Sequence, residues 1–219
     1  MKIPLSSRLQ ACCDFVKPGD RVADVGCDHG YLGIYLLKNG IAQAVIASDI
    51  NKGPLESARR NSEKFGVGDK ISFYLSDGVQ NIPRDFDVLV CAGMGGDTMV
   101  SILEAAPWLR DKQYRLVLQC QSKNGFLRRY LSENGWKILQ ETIIRDGKFL
   151  YPVTEAIWQP GEILSPGQCY FPPALIKNAH YEAYYQWVVK GLENIVLNRK
   201  EQADPFMVEA LEELRKKEL

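Results

Sequence analysis

The chain has 219 residues, of which 46% are hydrophobic and 25% are charged, a balance typical of a folded globular protein. Disorder, a collagen and a coiled-coil rod are therefore excluded as descriptions of the whole chain. Lys and Arg together number 27, as do Asp and Glu, so the net charge of zero provides no overall attraction to nucleic acid or to a membrane surface. Binding of a polyanion must then depend on local groups of basic side chains.

Two features of the sequence bear on where the protein works. No stretch is apolar over the roughly 20 residues that cross a bilayer, and the first residues lack the apolar core of a signal peptide. The six cysteines form no CxxC pair and lie mostly in apolar runs. We therefore expect a cytoplasmic protein with no membrane partner, no metal and reduced thiols.

Short apolar runs alternate with helical patterns over the first 158 residues, which is the signature of a doubly wound α/β sheet. The runs do not alternate strictly between apolar and polar residues, as expected of parallel strands that are buried on both faces. We predict strands at 21–27, 44–50, 70–75, 86–92 and 115–120, and helices at 31–38, 54–65, 98–105 and 125–134.

The pattern changes after Gly135. Two strand-like runs, 136–146 and 148–158, are joined by Asp146-Gly147, a hairpin turn signal. Five parallel strands followed by an antiparallel pair form the seven-stranded sheet of the class I methyltransferases, a Rossmann-like α/β fold that uses S-adenosylmethionine (S-adenosyl-L-methionine, SAM). An NAD-binding domain usually continues instead with a sixth parallel strand.

Proline and glycine concentrate between residues 159 and 173, a composition that breaks regular structure. We predict a SAM-binding methyltransferase domain over 1–160, a linker over 161–173 and an α-helical coiled-coil hairpin over 174–219. In this last segment apolar residues recur at helical spacing from Leu175 to Val196, and Asp204-Pro205 is a typical start for a second helix.

The segment Gly26-Cys27-Asp28-His29-Gly30 joins the first predicted strand to the first predicted helix. Small residues at such a junction let backbone N–H groups approach a ligand closely. The pattern is GxDxG and fails the dinucleotide pattern GxGxxG, because Asp28 replaces the second glycine. A carboxylate at that position repels a pyrophosphate but tolerates the cationic end of SAM.

Acidic residues follow the next two predicted strands. Asp49 ends the second strand, where a carboxylate can accept both hydroxyls of a ribose or, alternatively, form an Asx turn with Asn51. Asp77 precedes Gly78 after the third strand, where it can bind an adenine amine or serve only as a turn residue. Because open α/β sheets bind ligands at the carboxyl ends of their strands, both residues favour a nucleotide-like cofactor.

Three glycines follow the fourth predicted strand, in the segment Gly93-Met94-Gly95-Gly96-Asp97. Class I methyltransferases place their target-facing residues at this position, and bare backbone there implies close approach to a ligand. A flexible strand-to-helix turn is the alternative. The NPPY-type signature of exocyclic adenine N6 methyltransferases is absent from the sequence.

Six motifs together, LSSRL near the start, DVGCDHGYLG, SDIN, SDG, AGMGG and GKFLYPV, resemble the bacterial tRNA methyltransferases of the TrmK family, which form N1-methyladenosine at adenosine 22 of the D loop. The resemblance covers essentially the whole chain and implies a class I domain with a C-terminal helical coiled coil, SAM as cofactor and tRNA as partner. The residues alone indicate a methyltransferase, and the tRNA substrate comes from the resemblance. Three alternatives remain: a methyltransferase of another RNA or of a small molecule, an NAD-linked oxidoreductase, and a noncatalytic binding protein with a relic pocket.

The resemblance implies a cofactor pocket drawn from all four loops and from LSSRL: Arg8, Gly26, Cys27, Asp28, Gly30, Asp49, Ile50, Asp77, Gly78, Gly93, Met94 and Gly95. Asp28, His29 and Tyr31 are the predicted catalytic residues, because they lie where the methyl donor should face its target. Arg8 would bind the SAM carboxylate or an RNA phosphate, with a solvated helix charge as the alternative. Asp28 has an alternative role as a cap of the following helix.

Adenine N1 carries an in-plane lone pair and is unprotonated at neutral pH, so methylation at N1 requires no strong base. Catalysis would consist of alignment and of stabilising the cationic product, and Asp28 is the first candidate for that electrostatic role. N1 lies on the Watson–Crick edge, so the base must be unpaired and displaced, stacked against Tyr31 or another aromatic ring. The candidate RNA contacts are basic: Arg8, Lys52, Arg59, Arg60, Arg128, Arg129, Lys177, Lys190 and Lys200. A monomer is favoured.

Overall fold

In the computed structural model, which describes residues 2–199 and 202–216, strands and helices alternate in the predicted order. The strands are β1 (Arg21–Val25), β2 (Ala44–Asp49), β3 (Ile71–Leu75), β4 (Val88–Gly95), β5 (Arg115–Ser122), β6 (Trp136–Asp146) and β7 (Phe149–Trp158). The helices are α1 (Ser7–Cys13), α2 (Tyr31–Lys38), α3 (Lys52–Lys64), α4 (Gly96–Glu104), α5 (Asn124–Glu133), α6 (Pro166–Tyr170), α7 (Tyr181–Arg199) and α8 (Pro205–Lys216). Short 3-10 turns lie at Gly68–Lys70, Pro107–Leu109 and Pro173–Lys177.

The strands form one mixed sheet in the order β3-β2-β1-β4-β5-β7-β6. The first five strands are parallel, and β7 pairs antiparallel with both β5 and β6. The predicted seven-stranded, Rossmann-like methyltransferase sheet is therefore confirmed. The antiparallel pair stands where an NAD-binding domain would have its sixth parallel strand. In register, Val22 of β1 lies opposite Val45 of β2 and Val88 of β4, so these three strands end at the same edge.

Both faces of the sheet are buried, as the apolar strand patterns predict. On one face Leu89 and Leu118 pack with apolar residues of α4 and α5. On the other face Val45 and Val90 pack with residues of α1, α2 and α3. The helices therefore cover the two faces and leave the ends of the strands open to ligands.

Several observations bear on the expectations about membranes, metals and thiols. No helix among the described residues is long and apolar enough to cross a membrane. The described part of the chain also has no group of three or more His, Cys, Asp and Glu side chains placed to hold a metal ion. The six cysteines are buried free thiols, and burial raises the pKa of Cys91 to about 12.

The N-terminal helix α1 has no counterpart among the predicted elements. Ser6 caps it, because the Ser6 hydroxyl accepts a hydrogen bond from the Leu9 N–H at 3.4 Å. Cys12 and Cys13 are buried against the sheet. The helix is short, and its stability comes from this packing rather than from a strong sequence pattern.

The segment predicted as an irregular linker contains the helix α6. Ser165 and Gln168 form a reciprocal capping box at its start. The helical pattern predicted from Leu175 is wrong at its beginning, because the chain forms a 3-10 turn there and bends at Asn178, whose side-chain amide donates to Thr142 Oγ1 at 3.0 Å. The division into domains stays a prediction.

The two predicted C-terminal helices are present as α7 and α8. A third apolar cluster holds them together, with Tyr184 and Leu192 of α7 beside Leu211 of α8. Ile143 of β6 and Phe171 belong to the same cluster, which joins the helices to the main sheet. The coiled coil stays a prediction, and residues 217–219 of the segment lie outside the described residues.

A buried ion pair links α5 to β6 of the sheet. Arg128 of α5 donates from Nε to Glu141 Oε1 of β6 at 2.9 Å, and both side chains are almost fully buried. Arg128 Nη1 also donates to the carbonyl of Cys169 in α6 at 3.0 Å. Burial raises the pKa of the adjacent Tyr184, and the Arg128 guanidinium opposes part of that rise. The prediction that Arg128 contacts RNA is therefore wrong, because this side chain is buried inside the protein.

We predict that Arg128→Met lowers the free energy of unfolding by about 3 to 5 kcal/mol, because it leaves Glu141 as an unpaired buried charge. The neighbouring substitution Arg129→Met removes an exposed pair with Glu133 and should change that free energy by less than about 1 kcal/mol. Urea unfolding followed by circular dichroism measures both. Equal losses in the two variants would contradict the structural role of the buried pair.

Candidate functional site

The loops that carry the predicted site residues converge at one edge of the sheet. The loops after β1, β2 and β3 and the glycine-rich end of β4 all lie at the carboxyl ends of parallel strands. Backbone hydrogen bonds join them, since the N–H groups of Gly26 and Cys27 both donate to the Ser48 carbonyl, at 2.8 and 2.9 Å. Cys27 itself is buried. The loop after β1 is therefore held against the end of β2.

Two glycines of the loop after β1 are required by its shape. Gly26 and Gly30 have φ angles of 72° and 71°, a region that other residues adopt at a cost. A Cβ on Gly26 would lie 2.3 Å from the Met94 Cε, and a Cβ on Gly30 would lie 2.9 Å from the Ala58 Cβ. Met94 of β4 therefore lies directly against the loop after β1.

The three predicted catalytic residues lie together at the start of α2. The Asp28 side chain is 70% exposed, and its carboxylate lies 3.7 Å from His29 Nε2. The ring of His29 lies 5.8 Å from the ring of Tyr31. Asp28 does not cap α2, because Gly30 occupies the N-cap position without a side-chain hydrogen bond. The Asp28 carboxylate is thus left at the open side of the loop.

Asp49 forms the Asx turn considered for it in the sequence and also binds the loop after β1, whereas its contact with a ribose stays a prediction. Its Oδ1 accepts from the Asn51 N–H at 2.9 Å, which is the Asx turn, and its Oδ2 accepts from the Asp28 N–H at 3.2 Å. The side chain is nearly buried, whereas the adjacent Ile50 is 62% exposed. Each carboxylate oxygen can accept more than one hydrogen bond, so Asp49 retains capacity for ligand hydroxyls.

The loop after β3 is tied to the same edge. Asp77 is exposed, and the Gly78 carbonyl accepts from Ser48 Oγ at 3.4 Å. Gly78 has a φ of 56°, and a Cβ there would approach Ile102 to 3.0 Å. Asp77 and Gly78, the residues predicted to contact an adenine, therefore lie next to the end of β2 at Ser48.

The end of β4 lies beside Arg8, which brings Arg8 into the site. Gly93 has a φ of 80°, and its N–H donates to the buried Gln119 Oε1 at 3.0 Å. A Cβ at Gly93 would lie 3.6 Å from Arg8 Nη1. Arg8 Nε lies 3.4 Å from Asp146 Oδ2, at the tip of the β6–β7 hairpin. Gly95 is the last residue of β4, where its pairing with β5 becomes irregular.

Sequence reasoning missed three polar residues that support this edge: Gln119, Asp146 and Asn61. The Asn61 side-chain amide donates to the His29 carbonyl at 3.0 Å. Gln119 interrupts an otherwise apolar strand, a signal that could have identified it. Asp146 and Asn61 lie in ordinary polar contexts, and only the fold brings them close to the site.

Among the predicted RNA contacts, the structure places Arg8 at this edge. Lys52 is exposed at the start of α3, and the Arg59 guanidinium lies 4.8 Å from the centre of the Phe73 ring. Arg60 donates to Ser57 Oγ at 3.1 Å. Lys177 and Lys190 are exposed near and on α7, and Lys200 lies outside the described residues.

Asp24 of β1 lies beneath the site, and its carboxyl group has a raised pKa. Its side chain is buried, and burial raises its pKa from 3.8 to about 7. A hydrogen bond from the Gly33 N–H opposes that rise, and the charge of Asp49 adds to it. One Asp24 oxygen has no hydrogen-bond partner among the described residues. The folded protein therefore disfavours the charged form of this carboxyl group.

Comparisons with known proteins agree with one another. Residues 5–154 match the methyltransferase domain family. The tRNA (adenine(22)-N(1))-methyltransferase of Bacillus subtilis is 34% identical over 156 residues, 71% of this chain and 66% of that protein. The crystal structure of the B. subtilis m1A22 tRNA methyltransferase TrmK is 30% identical, with a TM-score of 0.82 over 99% of this chain and 96% of that chain. M. capricolum TrmK in complex with S-adenosyl-homocysteine is 25% identical, with a TM-score of 0.77 over 97% of this chain and 94% of that chain.

In sequence, the chain spans slightly less than two thirds of the length of the curated relative, and in structure it spans nearly all of both solved chains. The matched family region contains all the loops of the candidate site. The structural matches extend beyond that region over the C-terminal helices. The likeness therefore includes both the sheet and the helices that follow it.

We predict that Asp24→Asn removes a pH dependence from folding. Between about pH 4 and pH 7 the unfolded wild-type chain ionises Asp24 while the folded chain keeps it protonated, so wild-type stability falls by about 1.4 kcal/mol per pH unit from this group and levels off above pH 7. The variant should therefore gain stability relative to wild type across this range. Urea unfolding of both proteins at several pH values measures the difference, and a difference independent of pH would contradict the buried, raised pKa.

Proposed function

The chain belongs to the methyltransferase domain family and, within it, to the tRNA (adenine(22)-N(1))-methyltransferases, and we propose that it transfers the methyl group of SAM to N1 of adenosine 22 in the D loop of tRNA. The observation that carries the proposal is that the exposed Asp28 carboxylate, the Asp49 side chain that accepts from the Asp28 N–H, and the Met94 side chain that lies against Gly26 come together at the carboxyl ends of β2, β1 and β4. We further propose that the protein acts in the cytoplasm as a monomer.

The residues at the edge fit SAM. Gly26, Gly30 and Gly93 have positive φ angles, and their bare backbone at this edge would let a ligand approach the main chain closely. Asp49 would accept hydrogen bonds from the ribose hydroxyls. Asp77 with Gly78 would face the adenine. When bound, SAM supplies an electrophilic methyl group on a cationic sulfur.

Arg8 is the proposed partner of the SAM carboxylate. Its guanidinium lies beside Gly93, on the side of the site opposite Asp49 in the strand order. The Asp146 carboxylate pairs with Arg8 Nε. The two terminal nitrogen atoms of the guanidinium can therefore still donate hydrogen bonds to a ligand. A planar guanidinium binds a carboxylate through two parallel hydrogen bonds, which suits this role.

The chemical step requires alignment more than proton transfer. The lone pair of adenine N1 attacks the methyl carbon, the bond from sulfur to that carbon breaks, and the bonding pair stays on sulfur. No proton leaves N1, so no catalytic base is needed. The adenine becomes cationic, and the exposed Asp28 carboxylate would stabilise that charge as it develops.

The target base must leave its stack to reach this edge. N1 is engaged in a Watson–Crick pair in any helix, so the adenosine has to be unpaired and turned toward the protein. Tyr31 and His29 present neighbouring rings at the start of α2, beside Asp28. We propose that one of these rings packs against the displaced adenine.

The C-terminal helices α7 and α8 are the proposed holders of the folded tRNA. Their charge is mixed, so contacts from single basic residues such as Lys177 and Lys190 would act together with shape. Arg128 is buried beside Tyr184 of α7, so deleting the helices would uncover it, and surface substitutions test this role more cleanly than truncation.

The function is tested by incubating the protein with SAM carrying a radiolabelled methyl group and with bulk tRNA that lacks the modification. We expect label in tRNA and, after digestion to nucleosides, in N1-methyladenosine. Label in another nucleoside would show that the methyl acceptor is an atom other than N1 of adenosine. Absence of label in any RNA would contradict the proposal.

We predict that Asp49→Ala weakens SAM binding by about 2 to 3 kcal/mol, because it removes two charge-assisted hydrogen bonds to the ribose. Isothermal titration calorimetry measures the affinity. Asp69→Ala removes an exposed carboxylate in the 3-10 turn before β3 and serves as the matched control, which should bind SAM as the wild type does. Unchanged SAM affinity in a folded Asp49→Ala protein would contradict the proposal that Asp49 binds the ribose hydroxyls.

We predict that Asp28→Asn slows methyl transfer more than it weakens SAM binding. The substitution keeps the shape of the side chain and removes the charge that would stabilise the cationic product. Single-turnover methylation gives the rate, and calorimetry gives the affinity. If rate and affinity fall by the same factor, Asp28 is only a cofactor ligand.

A further inference from the structure

A cleft of about 530 Å³ lies between the start of α5 and the C-terminal helices α7 and α8. This volume is within the range of about 300 to 1,000 Å³ typical of small-ligand sites. Its walls are mainly apolar and aromatic, and charged side chains occur among them. Neither the sheet edge nor the cofactor pocket proposed above uses the interior of this cleft.

Exposed aromatic rings form two of the cleft's walls. Trp187 of α7 is 56% exposed, and Phe126 of α5 is 44% exposed. Trp187 stacks on Tyr184, with 5.8 Å between ring centres and 27° between ring planes. Tyr184 is buried, so it supports Trp187 from behind. Trp187 therefore presents one face of a supported ring to solvent.

Basic side chains lie along the same cleft. Lys123, Arg129 and Arg199 line it, together with the acids Asp97 and Asp204. The Arg129 guanidinium lies over the Phe206 ring, 4.2 Å from its centre. Aromatic faces interleaved with Lys and Arg are the combination by which proteins bind unpaired nucleotides, with bases on the rings and phosphates on the cations.

The cleft opens onto the edge where methyl transfer is proposed. Asp97 follows Gly95, the last residue of β4, by two residues and forms an ion pair with Lys123, the residue before α5. Both residues line the cleft. A Cβ at Gly96 would lie 2.7 Å from the Lys123 carbonyl, so the ends of β4 and β5 are in close contact there. The cleft therefore begins just beyond the last residues of β4 and β5, at the same end of the sheet as the target edge.

We infer that this cleft binds a nucleotide adjacent to the target adenosine in the same tRNA, with its base stacked on Trp187 and its phosphate near Lys123 and Arg199. The inference rests on the proposed function. Turning the target base out of its stack deprives the flanking base of a neighbour, and the Trp187 face would replace that neighbour. The cleft would hold the strand in place while N1 lies at the sheet edge.

The test is steady-state methylation of tRNA by Trp187→Ala, with calorimetry of SAM binding alongside. Loss of a base–aromatic stack should raise the KM for tRNA about tenfold and leave SAM affinity unchanged. Trp187→Phe, which keeps an aromatic face, should restore a KM close to that of the wild type. Leu197→Ala is the matched control, because Leu197 is 71% exposed on the same helix and does not line the cleft.

Modified transcripts identify the flanking nucleotide. Two tRNAs are compared, one lacking the base at position 21 and one lacking the base at position 23. For one of them Trp187→Ala should cause no further increase in KM, because the base that stacks on Trp187 is already gone. If both transcripts still show the full effect of the substitution, the stacking assignment is wrong.

Other outcomes separate this inference from the proposed function. A wild-type KM for tRNA in folded Trp187→Ala would overturn the inference and leave the cleft to a protein or an apolar small molecule. If Trp187→Ala melts at a much lower temperature than the wild type, Phe126→Ala on the opposite wall is measured instead. A raised KM for tRNA with unchanged SAM affinity then supports the inference, and a wild-type KM overturns it. If the wild-type protein forms no N1-methyladenosine in tRNA, the proposed function itself fails.

Discussion

The parallel pairing of β1 with β2 on one side and with β4 on the other is the constraint on which the candidate site depends. Because these strands run in the same direction and in matched register, their loops leave the sheet together. The Ser48 carbonyl then binds two N–H groups of the loop after β1, and Met94 closes on Gly26 from β4. The site is therefore built mainly from backbone, which suits the proposed methyl transfer, whose catalysis would consist of alignment.

The helix α5 connects this edge to the C-terminal helices. It begins directly after Lys123, whose ion pair with Asp97 borders the site, and one turn later it carries Arg128 into the buried contact with Glu141. Arg128 also donates to the Cys169 carbonyl in α6 and lies beside the buried Tyr184 of α7, so α5 connects the proposed methyl-transfer edge to the proposed RNA-holding helices. A buried ion pair is a weak source of stability, and here its geometry keeps two parts of the protein in a fixed relation.

The sheet and the glycine-rich loops could be predicted from the sequence because each leaves a local pattern: apolar runs for doubly buried strands, and glycines beside acids at their ends. Contacts between distant parts of the chain leave no such pattern. The adjacent Arg128 and Arg129 look alike in sequence, and only the position of Glu141 decides which of them is buried. Likewise, nothing local indicates that Arg8 meets Asp146, or that the chain bends at Asn178 instead of continuing a helix from Leu175.

Single-turnover methyl transfer to two tRNA transcripts tests the central claim most directly. The transcripts are identical except that position 22 is adenosine in one and 1-deazaadenosine, in which a C–H group replaces N1, in the other. If the edge formed by β1, β2 and β4 aligns the methyl donor with the N1 lone pair, the first transcript should gain one methyl group and the second none. Equal methylation of both transcripts would contradict the account.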